Sequence, residues 1–329
     1  MSLVETLRVV QAPEENKRNA GVSLDLSWVK QVHVNRSSLE RRASTLTCRR
    51  AVENEWRAAW LLHAVRCVDL TNLAGDDSSG KVRSLCARAR RPVRDDLLSA
   101  MDASGLAITT GAVCVFPAVV ADAFRALEGS RIPVAAFSSG LSPLKLRLAE
   151  IGYAVEAGAS EIDLAIAGDR VLTGDWEVLY EEIASFREAS RGACLKVMLA
   201  AGAFASPCKV QKASLTAMMA GADFIGTSTA KVAANASFET GLAVVRAIRE
   251  YRQRTGYRVG FKTAGGIRHM RQALEWLILL KEELGREWLE PELLRIGASS
   301  LLNDIERELE YHVTGRYSAS YRYPIAEEP

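Results

Sequence analysis

The sequence has no C-x-x-C pair, and its six cysteines, at positions 48, 67, 86, 114, 194 and 208, show no zinc-ligand spacing with the four histidines at 33, 63, 269 and 312. A structural zinc site and a disulfide scaffold are therefore not expected, and the cysteines read as reduced, mostly buried thiols. Charge of one sign is also lacking: 42 Lys plus Arg stand against 40 Asp plus Glu, a net +2. That balance gives no general attraction to nucleic acid or an anionic membrane. The Arg-Arg pairs at 41/42, 49/50 and 90/91 read as solvated helix faces among interleaved acids. Long hydrophobic runs are missing too. The longest charge-free window, Ala103 to Ala121, contains Ser104, Gly105, Thr109, Thr110, Gly111 and Pro117, which fits a buried strand running into a turn better than a membrane span. Glu5 and Arg8 interrupt the opening residues before an apolar stretch forms, so a signal peptide is not expected and a cytoplasmic location is.

What is present is the composition of a globular chain: 329 residues, 48% hydrophobic and 25% charged. Residues 1–22 are polar and aperiodic and read as a loosely held tail. Residues 23–62 turn helical, with Trp56, Ala59, Trp60 and His63 near i, i+3, i+4, i+7 spacing. His63 and His312 read as surface or satisfied packing residues. From there, short runs rich in Val, Ile and Phe alternate with amphipathic stretches. Strands are expected at 65–70, 111–116, 132–137, 161–166, 194–199, 223–227, 259–263 and 294–297. Helices are expected at 80–90, 118–127, 144–157, 176–189, 209–220, 238–254, 270–284 and 301–312. Alternation repeated about eight times implies a parallel sheet, which closes as an α/β (β/α)8 TIM barrel over residues 63–316 behind an N-terminal helical extension. A doubly wound open sheet fits the alternation as well, but no G-x-G-x-x-G follows the first strand. Residues 317–329, with Tyr321, Tyr323 and Pro324, read as a C-terminal tail.

Four expected strands each carry an ionisable residue among apolar neighbours: Asp69, Asp163, Lys196 and Lys262. Such charges are costly in a barrel strand unless paired or placed at the open mouth. Two acids and two bases can neutralise one another at the C-terminal face, where sites of this fold lie. After the last two strands come Ala-Gly-Gly-Ile-Arg (264–268) and Ile-Gly-Ala-Ser-Ser-Leu-Leu (296–302). Small residues opening a helix let backbone N–H groups converge on an anion, with Arg268, Ser299 and Ser300 adding donors and His269 close by.

The runs Asp-Leu-Thr-Asn-Leu (69–73), Ala-Val-Cys-Val-Phe-Pro (112–117), Glu-Ile-Asp (161–163), Leu-Lys-Val (195–197), Thr-Ser-Thr (227–229), Gly-Phe-Lys-Thr-Ala-Gly-Gly-Ile-Arg (260–268) and Arg-Ile-Gly-Ala-Ser-Ser-Leu-Leu (295–302) resemble the deoxyribose-phosphate aldolase family. The likeness covers about residues 24–316. It implies a (β/α)8 class I aldolase that cleaves 2-deoxyribose 5-phosphate to acetaldehyde and glyceraldehyde 3-phosphate through a lysine Schiff base, without metal or other cofactor. It also implies roles. Asp163 is similar to the acid that orders the proton-relay water, Lys262 to the relay lysine, and Lys196 and Asp69 to a supporting charged pair. Cys114 is similar to a substrate-side thiol, and Lys231, Gly265, Gly266, Arg268, Gly297, Ser299 and Ser300 to the phosphate-binding set.

The family's Schiff-base lysine belongs in Phe-Ile-Lys-Thr-Ser-Thr-Gly-Lys, where this chain reads Phe224-Ile225-Gly226-Thr227-Ser228-Thr229-Ala230-Lys231. Glycine has no side chain to form an iminium. Ala230, Ala201-Gly202-Ala203 and Phe137-Ser138-Ser139-Gly140 depart from the family pattern on neighbouring loops. Three readings stand open: an aldolase with lost or strongly reduced catalysis that still binds a pentose 5-phosphate; an active aldolase using Lys262 as the amine; and a non-catalytic scaffold or partner of an active homologue. A different proton-transfer enzyme built on Asp163, Lys196 and Lys262 is a further option. Neither nucleic acid nor membrane is expected as partner; a homo-oligomer or a protein partner is left open.

Overall fold

A computed structural model describes residues 18–319, apart from residues 76, 141, 205 and 229–236. Eight parallel strands close into a barrel in chain order. They are β1 (Val68–Thr71), β2 (Ala112–Val115), β3 (Val134–Ser138), β4 (Glu161–Ala165), β5 (Cys194–Met198), β6 (Phe224–Gly226), β7 (Gly260–Ala264) and β8 (Leu294–Ala298). Closure comes from β8 lying beside β1, with Asp69 opposite Gly297. Each strand is covered by helix outside and packed side chains inside, which is why the runs are short and apolar throughout.

The helices are α1 (Leu26–Gln31), α2 (Arg36–Arg49), α3 (Asn54–Arg66), α4 (Ser79–Arg90), α5 (Asp95–Ala100), α6 (Val120–Ala126), α7 (Leu144–Glu156), α8 (Gly168–Thr173), α9 (Trp176–Ala189), α10 (Pro207–Met219), α11 (Phe238–Thr255), α12 (Met270–Leu284) and α13 (Leu301–Thr314). The short α5 and α8 were not expected from sequence, since six residues each are too few to establish a helical period. Val65 and Arg66 were expected to open β1 but instead finish α3: Leu61, Leu62 and Val65 continue one buried helical face, and the strand starts only after Cys67 caps the helix.

The extension is three helices rather than one helical stretch, and it packs on the barrel's outer layer. Trp28 stacks on Tyr251 of α11 at 6.0 Å and donates Nε1–H to Glu250 at 2.6 Å. His63 is buried and donates Nε2–H to the Leu289 carbonyl at 2.7 Å; burial drops its pKa to about 4, so it stays neutral. The expected loose tail is corrected over residues 19–22. Asn19 is buried, accepts the Tyr251 hydroxyl, and donates Nδ2–H to the carbonyls of Met218 (2.7 Å) and Ala222 (2.9 Å). Its backbone N–H donates to Asp223 at 2.9 Å, and Val22 N–H to Met219 O at 2.8 Å. The expected C-terminal tail lies, from residue 320 onward, outside the described residues.

Asn19→Ala should strip the side-chain bonds to Met218, Ala222 and Tyr251 and leave the Ala222 carbonyl without that donor, while the backbone bond to Asp223 stays and Tyr251 still donates to Met218, a loss of about 1–3 kcal/mol. Urea unfolding would register it as a lower midpoint at unchanged slope.

Candidate active site

Alternation along the strands turns Asp69, Glu161, Asp163, Lys196, Lys262 and Arg295 toward the barrel axis, and all six are at most 5% exposed. Lys262 Nζ lies 2.5 Å from both Asp69 Oδ2 and Asp163 Oδ2. Lys196 Nζ lies 2.5 Å from Glu161, 3.0 Å from Asp69 and 3.2 Å from Asp163. Arg295 bridges the lower side, 2.6 Å from Asp69 and 2.7 Å from Glu161. Three acids thus face three cations, and burial is tolerable because every charge has at least two opposite neighbours.

This arrangement fixes protonation. Burial alone would pull the Lys262 pKa down and push the aspartates up. Instead Asp163 and Asp69 hold Lys262 above the usual lysine value, while Lys196 and Lys262, with Arg295 for Asp69, hold both aspartates below the usual carboxylate range. Lys196 is likewise held as an ammonium, against burial, by Asp163, Asp69 and Glu161. Cys114 donates Sγ–H to Asp163 Oδ2 at 3.5 Å; burial and that carboxylate raise the thiol's pKa well above its ordinary value, so it is not a nucleophile.

Above the cluster, at the C-terminal mouth, a cavity of about 210 Å³ brings together Asp163, Lys262, Cys114, Gly265, Gly266, Arg268, Gly297, Ser299 and Ser300. Asp69 and Lys196 lie beneath it, wholly buried, and do not line it. Lys231, expected among the phosphate donors, lies outside the described residues. Gly265 and Gly266 follow β7 with φ of +93° and +73°, left-handed backbone that other residues resist. The α12 N-terminus is not the open anion site the sequence suggested. Gln272 Oε1 takes the N–H groups of Arg268 and His269, at 2.9 and 3.0 Å, and Asp304 takes that of Met270 at 2.7 Å. What faces the cavity is the Gly265–Ile267 turn and the Ser299–Ser300 start of α13.

Gly226 sits on the wall between Met198 of β5 and Lys262 of β7, paired in register with both. A Cβ there would overlap the Met198 Sδ and Cε. Glu161 and Arg295 were missed as cluster members, although Glu161 stands two residues before Asp163 and so shares its face. Arg295 was quoted in a motif, but its inward direction depends on where β8 starts. Met198 gave no signal as an ordinary apolar strand residue. Among the described residues no group of three His, Cys, Asp or Glu could hold a metal ion, and no helix is long and apolar enough to cross a membrane.

Residues 64–306 match the family model described as DeoC/LacD family aldolase. The chain is 52% identical over 314 residues to the human deoxyribose-phosphate aldolase, covering 94% of this chain and 99% of that protein. The mouse deoxyribose-phosphate aldolase is 53% identical, over 93% and 98% of the two chains. The tetrameric deoxyribose phosphate aldolase structure from Aeropyrum pernix superposes with a TM-score of 0.55 at 19% identity, covering 80% of this chain and all of that one, a likeness of fold.

The aspartates' stabilising contribution is fully present above their unfolded pKa of about 4 and is lost as pH falls through their depressed folded values. Wild-type stability should therefore fall steeply below about pH 4. Asp69→Asn should be less stable at neutral pH, by about 3–5 kcal/mol, because three cations lose a partner. Its stability should also depend less on pH in the acid range, which acid-titrated chemical unfolding would measure.

Proposed function

This chain belongs to the DeoC/LacD aldolase family and is deoxyribose-phosphate aldolase-like, and from that premise we propose that its Schiff-base catalysis is lost while binding of a pentose 5-phosphate is kept. The observation that carries the reading is Gly226 at the position where the family resemblance puts the reacting lysine. Attack on an aldehyde requires a neutral amine, and the iminium it forms is what makes the carbon–carbon bond labile. Glycine supplies neither.

Lys262 is a poor substitute. Its ammonium is held between Asp69 and Asp163 at 2.5 Å each, so releasing its proton would leave two buried carboxylates undercompensated. A reactive lysine needs the opposite surroundings, a dry apolar pocket or a neighbouring cation with no carboxylate in contact. Asp163 and Lys262 retain the place, but not the partner, that the family's proton relay requires.

The phosphate end is supported separately. Arg268, Ser299, Ser300 and the Gly265–Gly266 turn share one cavity wall with Gly297, away from position 226, and their interactions act on bound ground state and product alike. We place the protein in the cytoplasm. Exposed Phe124, Leu146 and Tyr153 on α6 and α7 favour a homo-oligomer or a protein partner.

Incubation with acetaldehyde and borohydride, followed by peptide mapping, should leave Lys262 of the wild-type protein without an N-ethyl adduct, and deoxyribose-phosphate cleavage should stay at background. Family-like turnover, or an adduct mapped to Lys262, would sink the reading. In calorimetry, 2-deoxyribose 5-phosphate should bind and unphosphorylated 2-deoxyribose should not. Arg268→Ala and Ser299→Ala should each weaken binding, by about 1–2 kcal/mol. Equal binding of the two sugars, or indifference to both substitutions, would instead favour the scaffold reading.

A further inference from the structure

We propose that Met198 is a specificity-determining plug: its thioether fills the volume that a side chain at position 226 would occupy, so the mouth is closed to covalent capture by a second feature besides Gly226. This rests on the reading of position 226 as the amine position.

The geometry is local. Met198 and Gly226 are register partners on adjacent strands, and the Met198 Sδ and Cε lie where a Cβ on residue 226 would be built. Met198 is 2% exposed although it lines the cavity, so its side chain is packed against the wall rather than extended into the mouth. The same device operates one layer below, where the Phe224 ring occupies the Cβ space of Gly260 on the next strand. In each case a large inward side chain leans on a neighbouring glycine, as close packing demands.

A lysine at 226 would therefore have to displace the thioether. Downward movement is blocked by Lys196, wholly buried two residues earlier on the same strand face. The displaced end would turn upward into the cavity of about 210 Å³, between the new amine and an incoming carbonyl. Methionine is flexible enough to make that move without unfolding the barrel. The cost falls on access and alignment of the amine, and misplacement of a reacting group by about an ångström can cost roughly 100-fold in rate.

The test compares wild type, Met198→Ala, Gly226→Lys and Gly226→Lys/Met198→Ala by the rate of borohydride-trapped N-ethyl adduct at the new lysine, with acetaldehyde as the probe. The double variant should trap at least roughly ten-fold faster than Gly226→Lys alone. Equal rates in the two, at any level including zero, would overturn the plug. An adduct at Lys262 in wild type or Met198→Ala would instead overturn the reading of a lost amine, and so is told apart. Should a lysine variant not fold, Gly226→Ala supplies the second arm. It should lower the melting temperature at least twice as much beside Met198 as in the Met198→Ala background; equal drops would overturn the proposal.

Discussion

Charge neutrality inside a closed barrel is the constraint on which the rest depends. Asp69, Glu161 and Asp163 come from β1 and β4, Lys196, Lys262 and Arg295 from β5, β7 and β8; Lys196 meets Glu161 and Asp163 on the neighbouring strand, whereas Asp69 meets Arg295 because closure brings β8 against β1, and reaches Lys196 and Lys262 through the barrel interior. Removing water from one such ion costs several kcal/mol, which opposite charges in contact can offset but an apolar neighbour cannot. The cluster therefore sets the protonation of everything above it: Lys262 as ammonium, Asp163 as carboxylate, Cys114 as thiol.

Around the charges the interior is arranged by volume. Phe224 rests over Gly260 and Met198 over Gly226, while Gly297 leaves Lys262 room, its own missing Cβ lying 3.4 Å from the Lys262 Cε. Parallel strands with fixed register make such pairs lateral neighbours, so a glycine on one strand is matched by a large side chain on the next. Gly226 is thus a packing position, whatever chemistry is proposed for it, and its neighbour in that packing is Met198, a residue of unremarkable type.

The eight strands, and helices such as α9 and α12 whose ends match the sequence reading, were legible because a buried parallel strand and an amphipathic helix leave different periods in the chain. The charged residues Asp69, Asp163, Lys196 and Lys262 were legible because a lone charge in an apolar run is expensive. Glu161 and Arg295 were not, since both stand at strand starts, where a charge normally faces solvent. The satisfied α12 N-terminus was hidden for another reason. Two of its N–H groups go to Gln272 in α12 itself, but the third goes to Asp304 from the next helix, a contact set by the spacing of α12 and α13 and absent from local sequence.

On the proposed reading, binding and bond cleavage would occupy different parts of this mouth, so that physics allows them to be lost separately. The residues proposed to face an anion belong to the turns after β7 and β8, whereas the position proposed for electrophile capture lies on the β5–β6–β7 wall with Met198, Gly226 and Lys262. Retention of Asp163, Lys196 and Lys262 does not by itself argue for turnover. Once three carboxylates and three cations are buried together, deleting any one strands its partners at about 3–5 kcal/mol. The cluster is then kept by the stability of the barrel whether or not chemistry is carried out above it, while Gly226 holds no charge in place and is constrained by volume instead, through the Met198 thioether beside it. Gly226 beside an intact Asp163, Lys196 and Lys262 is a pattern that these energetics allow.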